Sequence, residues 1–241
     1  MPEDLRAVIE QYADLVDAFL HEFISGEEQI PNLHNAMRYA LGLDTPDKSP
    51  RGKRLRPALG MMVCKALGGS PEDILPFAAA IEIFHNFTLV HDDIEDGDTF
   101  RRGRPCVYQK FGMAHGINTG DFMLVKVFRA LAPSRMRDMP PRKLCGLWEL
   151  MVDTLEHTHI GQALDMNARF SVNFSIEEYF RLVTEKTGYC LGASLIAAAI
   201  ITDADAATRA ALKEYALAIG PLFQIRDDVI DLTEGKGRER L

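Results

Sequence analysis

The chain has 241 residues, 47% hydrophobic and 26% charged, with a net charge of -8 and a pI of about 5.4. This is globular composition, long enough for one large domain or two small ones, and its acidity argues against a general nucleic-acid binder. The four cysteines, Cys64, Cys106, Cys145 and Cys190, are scattered, with no CxxC pair and no histidine at zinc spacing. They read as reduced, mostly buried thiols of a cytoplasmic protein.

The opening stretch is acidic and amphipathic, unlike a signal peptide. Leu5, Val8, Ile9, Tyr12, Leu15, Val16 and Phe19 recur at helical spacing. A polar loop follows at about 43–57. Helix resumes at "ALGMMVCKAL" and breaks at "GGSPED". Ser70 is placed to cap the next helix, with Pro71 in its first turn and Glu72 and Asp73 complementing the dipole. That helix runs through "ILPFAAAIEIFHNFTLVHDDIED" and ends near Gly97. Further helices are expected at about 117–132, 141–170, 175–187, 189–202, 206–218 and 220–233. The low-charge run "TGYCLGASLIAAAIITD" is too short for a bilayer span and reads as a buried helix, so no transmembrane segment is expected. No alternating strand pattern and no GxGxxG or GxxxxGK[ST] loop occurs, which removes the Rossmann and P-loop readings. The expectation is one all-α domain over 1–241.

Two acidic clusters interrupt this pattern. Asp92 and Asp96 lie four apart, roughly 40° around a helix, so their carboxylates share a face. Asp93 sits beside Asp92. Asp227 and Asp231 repeat the spacing, with Asp228 adjacent. Like charges at this spacing, at helix ends where the dipole disfavours acids, destabilise the helix. A hard divalent cation would offset that: Mg2+ takes one or two carboxylates and shares the rest of its shell with water and phosphate. Basic residues fit the same picture, with Lys53, Arg54 and Arg56 in "GKRLRP", Arg101 and Arg102 after the first cluster, and Lys186 and Thr187 at a helix break. Together they point to a ligand carrying more than one phosphate group.

The motifs "GKRLRP", "LVHDDIED…RRGRP", "GQALDM", "EKTG" and "FQIRDDVID" stand in the order found in the trans-isoprenyl diphosphate synthase (polyprenyl synthetase) family, which the sequence resembles over 52–231. The resemblance implies an isoprenoid-synthase-type helical bundle around a central cavity. It implies Mg2+, more than one ion, on Asp92 and Asp96 and on Asp227 with Asp231, and catalytic roles for Asp93, Arg101 and Lys186. Arg101, Lys186, Thr187 and Gln224 would contact an allylic diphosphate. Lys53, Arg56, His85 and Arg102 would hold isopentenyl diphosphate, and Gln162 and Asp165 would support the cation region or the metal waters. Phe87, with Thr88 beside it on the motif helix, would limit product length to C15–C20, although Phe84 and Phe87 also read as plain core aromatics. A homodimer through the helix at 117–132 is expected by the same resemblance. Family members continue beyond the second motif, whereas this chain stops at Leu241, near Lys236. A regulatory subunit pairing with a full-length synthase is therefore an alternative. A class I terpene cyclase is disfavoured by "GKRLRP", "RRGRP" and the second DDxxD.

Overall fold

The computed structural model describes residues 3–136 and 139–233, and the side chains of Glu3 and of 231–233 lie outside that description. Among the described residues ten α-helices follow in chain order: α1 (Glu3–Ser25), α2 (His34–Leu41), α3 (Leu55–Ala66), α4 (Pro71–Asp96), α5 (Val107–Phe111), α6 (Met113–Ala130), α7 (Pro141–Ala168), α8 (Ile176–Val183), α9 (Tyr189–Ile201) and α10 (Ala206–Thr233). The described residues are all-α apart from one antiparallel pair, β1 (Phe100–Arg101) and β2 (Arg104–Pro105). Three details depart from the sequence expectation. The short helices α2 and α5 carry too few residues for a clear period. The stretches 206–218 and 220–233 form one helix that continues through Pro221. The segment expected as helix 175–187 ends in a π-turn, Thr184–Gly188.

The described residues group into two compact units, 3–58 with 75–136, and 59–74 with 139–233. In the first unit α1 buries Val16, Leu20, Phe23 and Ile24. Its opposite face presents Glu10, Asp14 and Asp17, all of which pair with Arg51. The Ser70 cap forms as the sequence suggests: Ser70 Oγ accepts from the Glu72 amide at 3.3 Å. Along α4, Phe77 to Ile81 are fully buried, as are Ile83 and Phe84, so the helix is apolar nearly all round. By length and composition α4 could cross a membrane, but 67% of its most apolar window is buried inside the protein. At the far end of α4, His91 lies in the notch left by Gly120 on α6, where a Cβ would stand 2.1 Å from its Nε2.

In the second unit α9 is the central helix, with Leu191, Leu195, Ala197, Ala198 and Ala199 buried. It packs on α7 and α10. Gly192 brings it against Ala216, where a Cβ would approach to 2.3 Å. Cys64, Cys106 and Cys190 are buried thiols, and Cys145 is the exposed exception.

Candidate active site

In the first unit α4 carries Asp92, Asp93 and Asp96 in its last turns. The helix stops where Gly97 turns left-handed at φ +69°. The chain then doubles back as a hairpin whose two turn residues, Arg102 and Gly103, have φ +53° and +72°. Two left-handed residues in succession suit the twist of a tight hairpin. Glycine adopts that conformation freely, whereas Arg102 adopts it at a cost. The turn separates two neighbouring arginines. Arg101 returns to the acids: its Nε donates to Asp93 Oδ1 at 2.5 Å, and its Nη2 lies 3.4 Å from Asp92 and 3.5 Å from Asp98. Burial opposes the Arg101 charge, but these carboxylates outweigh it and raise its pKa. Asp93 is 3% exposed, and burial raises its carboxyl pKa against the pull of Arg101 and Cys106. It anchors the hairpin, while Asp92 and Asp96 remain partly exposed.

Arg102 leads the other way. Its Nη1 donates to Pro50 O at 3.1 Å and to Asn86 Oδ1 at 3.3 Å. The guanidinium crosses Gly52, where a Cβ would come within 2.9 Å of it. Asn86 donates to Glu82 Oε1 at 2.8 Å, and Glu82 accepts from Arg54 Nη1 at 2.8 Å. Arg54, at φ +49°, is fully buried and also holds Asp17, Arg51 O and Leu41 O. The sequence reading offered Arg54 as a phosphate contact. The structure corrects this, because its guanidinium is enclosed by these partners and fixes the junction between exposed Lys53 and half-buried Arg56 in the first turn of α3.

The result is a concentration of positive charge. The surface of Arg102 is open to solvent, yet protein packed around its guanidinium lowers its pKa to about 10. Arg54, Arg101 and Arg56 add to that shift, and Glu82 opposes it. Burial and the fields of Arg56, Arg102, Arg101 and Arg54 hold His85 well below its ordinary 6.5, so the ring is neutral at pH 7. Arg56 Nε is buried with no hydrogen-bond partner among the described residues. Cations that repel one another, with an unsatisfied donor among them, suit a polyanionic ligand. Phe87 is 2% exposed and packs on Phe84 at 5.9 Å and His91 at 5.1 Å, measured between ring centroids. Thr88 Oγ1 donates to the His85 carbonyl at 2.8 Å.

In the second unit the π-turn carries Lys186 and Thr187. Two glycines hold it from either side. A Cβ on Gly161 of α7 would stand 2.2 Å from the Lys186 backbone nitrogen, and one on Gly220 of α10 would stand 2.2 Å from Gly188 Cα. His157 stacks on Tyr189 at 3.7 Å and contacts Glu185 at 2.5 Å, which secures the turn further. Single π-turns inside helices recur at functional sites. Lys186 Nζ donates to Asp165 Oδ2 at 2.7 Å. Thr187 Oγ1 donates to Gln224 Oε1 at 2.9 Å, and Gln224 Nε2 donates to Asp228 Oδ1 at 2.8 Å. Asp228 also accepts from the Tyr179 hydroxyl at 2.5 Å. Burial, followed by Asp228, raises the Tyr179 pKa. Asp228 is thus tied into the unit by two side-chain partners, and it and Asp227 are both partly exposed. The side chain of Asp231, and Lys236 altogether, lie outside the described residues.

Among the described residues no group of three or more His, Cys, Asp or Glu gathers around one point. The donor chemistry nonetheless suits Mg2+, which takes few protein ligands, all oxygen, and fills its shell with water and phosphate. Asp92 and Asp96 supply such a pair from adjacent turns of α4. Sequence reasoning missed Glu82, Asn86, Asp17 and Tyr179. The available signal was a lone acid, Glu82, inside the apolar run "FAAAIEIF".

The chain belongs to the polyprenyl synthetase family, whose model matches residues 38–239. It is 36% identical over 219 residues to the short chain isoprenyl diphosphate synthase of Methanocaldococcus jannaschii, covering 90% of this chain and 62% of that protein. It is 36% identical over 218 residues to the geranylgeranyl diphosphate synthase of Methanosarcina mazei, covering 90% of this chain and 64% of that protein. The crystal structure of the geranylgeranyl pyrophosphate synthetase of Pyrococcus horikoshii superposes with a TM-score of 0.87 at 35% identity, over 96% of this chain and 68% of that one. The chain thus spans a little under two thirds of the length of the first two relatives.

Proposed function

We propose that the protein is a Mg2+-dependent prenyltransferase that joins isopentenyl diphosphate to an allylic diphosphate and forms a trans-polyprenyl diphosphate of C15–C20. The observation that carries this reading is the arginine field around Arg102, with neutral His85 and the unpartnered Arg56 Nε, which suits a diphosphate bound without metal. Lys53, Arg56, His85 and Arg102 hold isopentenyl diphosphate. Lys186, Thr187 and Gln224 bind the allylic diphosphate, helped by Arg101 once it exchanges an acidic partner for phosphate. Gln162 and Asp165 orient the region around Lys186.

Mg2+ on the DDxxD residues Asp92 and Asp96, and on Asp227 with Asp231, would neutralise charge on the departing diphosphate. The allylic C–O bond breaks with its electron pair on oxygen. The isopentenyl double bond donates its electrons to the allylic carbon, and the proton lost in restoring a double bond passes to the released diphosphate. The surrounding residues position both substrates and stabilise the charge. No side-chain nucleophile is required. Phe87, backed by Phe84 and with Thr88 next in the helix, closes the space available to the growing chain. The two units act as one cytoplasmic polyprenyl-synthetase-like domain, and exposed Ile117 and Val125 on α6 support a homodimer through that helix.

The test is product formation from labelled isopentenyl diphosphate and allylic primers of increasing length. Activity is expected with Mg2+ and none after chelation. Asp92→Ala is expected to lower kcat by about a thousandfold with an unchanged unfolding midpoint. Phe87→Ala is expected to lengthen the product. Full activity of Asp92→Ala, or turnover in excess chelator, overturns the reading.

A further inference from the structure

The second unit contains a cleft of about 560 Å³ between α7, α9 and α10. That volume is in the range of small-molecule sites. Its lining reaches Gly188 and Tyr189 at the end of the π-turn, but none of Asp165, Lys186, Thr187, Gln224, Asp227 or Asp228 lines it. Much of its lining is apolar: Gly146 and Leu150 from α7, Gly192, Ile196 and Ile200 from α9, and Leu217 from α10. A Cβ at Gly146 would sit in ordinary contact with Ile200 at 3.7 Å, so a longer side chain there would project into the space beside it.

The charges are unevenly distributed along this lining. At one end Arg142 and Lys143 from the start of α7 meet Arg209 from the start of α10, with Asp203 as the acid among them. Lys143 Nζ lies 2.6 Å from Asp203 Oδ2 and also donates to Ile201 O at 2.6 Å. The Arg209 Nε donates to Ala204 O at 2.8 Å. Lys143 first, then Arg142 and Arg209, lower the Asp203 pKa, so one carboxylate faces three cations. The amino-terminal end of α7 adds positive potential there, whereas that of α10 is capped by Asp205, whose Oδ1 accepts from the Thr208 amide at 2.7 Å. Two and three turns further along α7 stand the exposed acids Glu149 and Asp153, with Lys213 from α10. An anion is therefore favoured at the Arg142 end and disfavoured at the other. From Arg142 to Thr154 the cleft follows α7 for roughly 18 Å, at about 1.5 Å per residue.

We propose that this cleft is a second ligand site, for an amphiphile with one apolar chain and a phosphate or diphosphate head. The head binds between Arg142 and Arg209, and the chain lies over Gly146, Gly192 and Ile196. The site uses none of the side chains assigned to the proposed reaction and needs neither metal nor turnover. Such a head group is carried by prenyl diphosphates and by single-chain lipid phosphates alike.

Cys145 lines the cleft and is the exposed cysteine, while the other three are buried. Its alkylation rate, followed by mass spectrometry on the intact protein, therefore reports occupancy of this site. The measurement is made in excess chelator, so that metal-dependent binding elsewhere is absent. Farnesyl diphosphate is expected to slow alkylation about tenfold at saturation, and dodecyl phosphate to do the same if the site reads the shared chemistry. Protection by farnesyl diphosphate alone narrows the ligand to prenyl diphosphates within the proposed class. Arg142→Glu is expected to weaken protection about tenfold or more. Gly146→Leu, which projects into this space, is expected to abolish it while circular dichroism stays unchanged. Equal protection by farnesol shows that the head is not read, and protection by inorganic diphosphate alone shows a simple anion site. Either result, or no protection by any compound, overturns the proposal. Prenyltransferase activity is not measured, so failure here leaves the proposed function untouched.

Discussion

Arg102 shows how a single residue can be fixed from several sides. Its left-handed backbone, the missing side chain at Gly52 and the chain Asp17–Arg54–Glu82–Asn86 together direct its guanidinium. Glu82 is the shared acceptor and is 2% exposed, so removing its charge leaves Arg54 buried and underpaired. Breaking such a pair costs about 3–5 kcal/mol. Glu82→Gln is expected to lower stability in urea by that order and to raise the KM for isopentenyl diphosphate more than it lowers kcat, since Arg102 loses its orientation. An unchanged KM in a folded Glu82→Gln protein would show that the network does not position Arg102. His85 gives a pH prediction. Its folded pKa is depressed, so between that value and the unfolded value near 6.5 the unfolded chain binds the proton more readily. The stability associated with neutral His85 is fully present above about pH 6.5 and falls as the solution is acidified towards the folded pKa. Urea midpoints measured from pH 7.5 to 5 should fall in the wild type and flatten in His85→Asn, and parallel curves would remove His85 as the cause.

Among the elements, the π-turn depends most on its neighbours. Its five residues, Thr184–Gly188, carry an ordinary helical sequence, and the turn that presents Lys186 and Thr187 is held by close backbone approaches at Gly161 and Gly220. In both cases an added methyl meets main chain, which cannot rotate away. Gly161→Ala is expected to cost about 1–3 kcal/mol through overpacking and to weaken binding of the allylic diphosphate by displacing Lys186. Calorimetric ligand titration alongside thermal melts checks both effects, and a neutral substitution would mean that the turn shifts freely. The hairpin after α4 is the opposite case. Its arginine–glycine pair already encodes the turn, and "RRGRP" could be read as a device for separating two charges. Helix α10 lies between the two: Pro221 suggests a break, yet the helix continues because proline removes one donor without forbidding helical φ.

Across the whole molecule, exposed apolar surface on α6 bears on assembly. Met113, Ile117 and Val125 are 49%, 45% and 63% exposed, more than a helix with a buried opposite face requires. If the proposed homodimer forms through α6, Val125→Asp is expected to give a monomer in sedimentation equilibrium with helicity retained, and an unchanged mass would place any interface elsewhere. The sequence by itself determined the helical class, the capped start of α4, the buried character of α9 and the positions of both acidic motifs. Each of these depends on local periodicity, on a local cap or on charge spacing, and all of them survive without knowledge of neighbours. Only the tertiary structure decided which member of each charged cluster is structural. Asp93 is buried against Arg101 while Asp92 and Asp96 stay partly exposed, Asp228 is held by Tyr179 and Gln224, and Arg54 is enclosed while Arg56 keeps an unpartnered donor. Adjacent residues of identical type carry the same chemistry in the sequence. What separates them is burial and the partner brought from a distant helix, which fixes the cost of charge and the direction of each side chain.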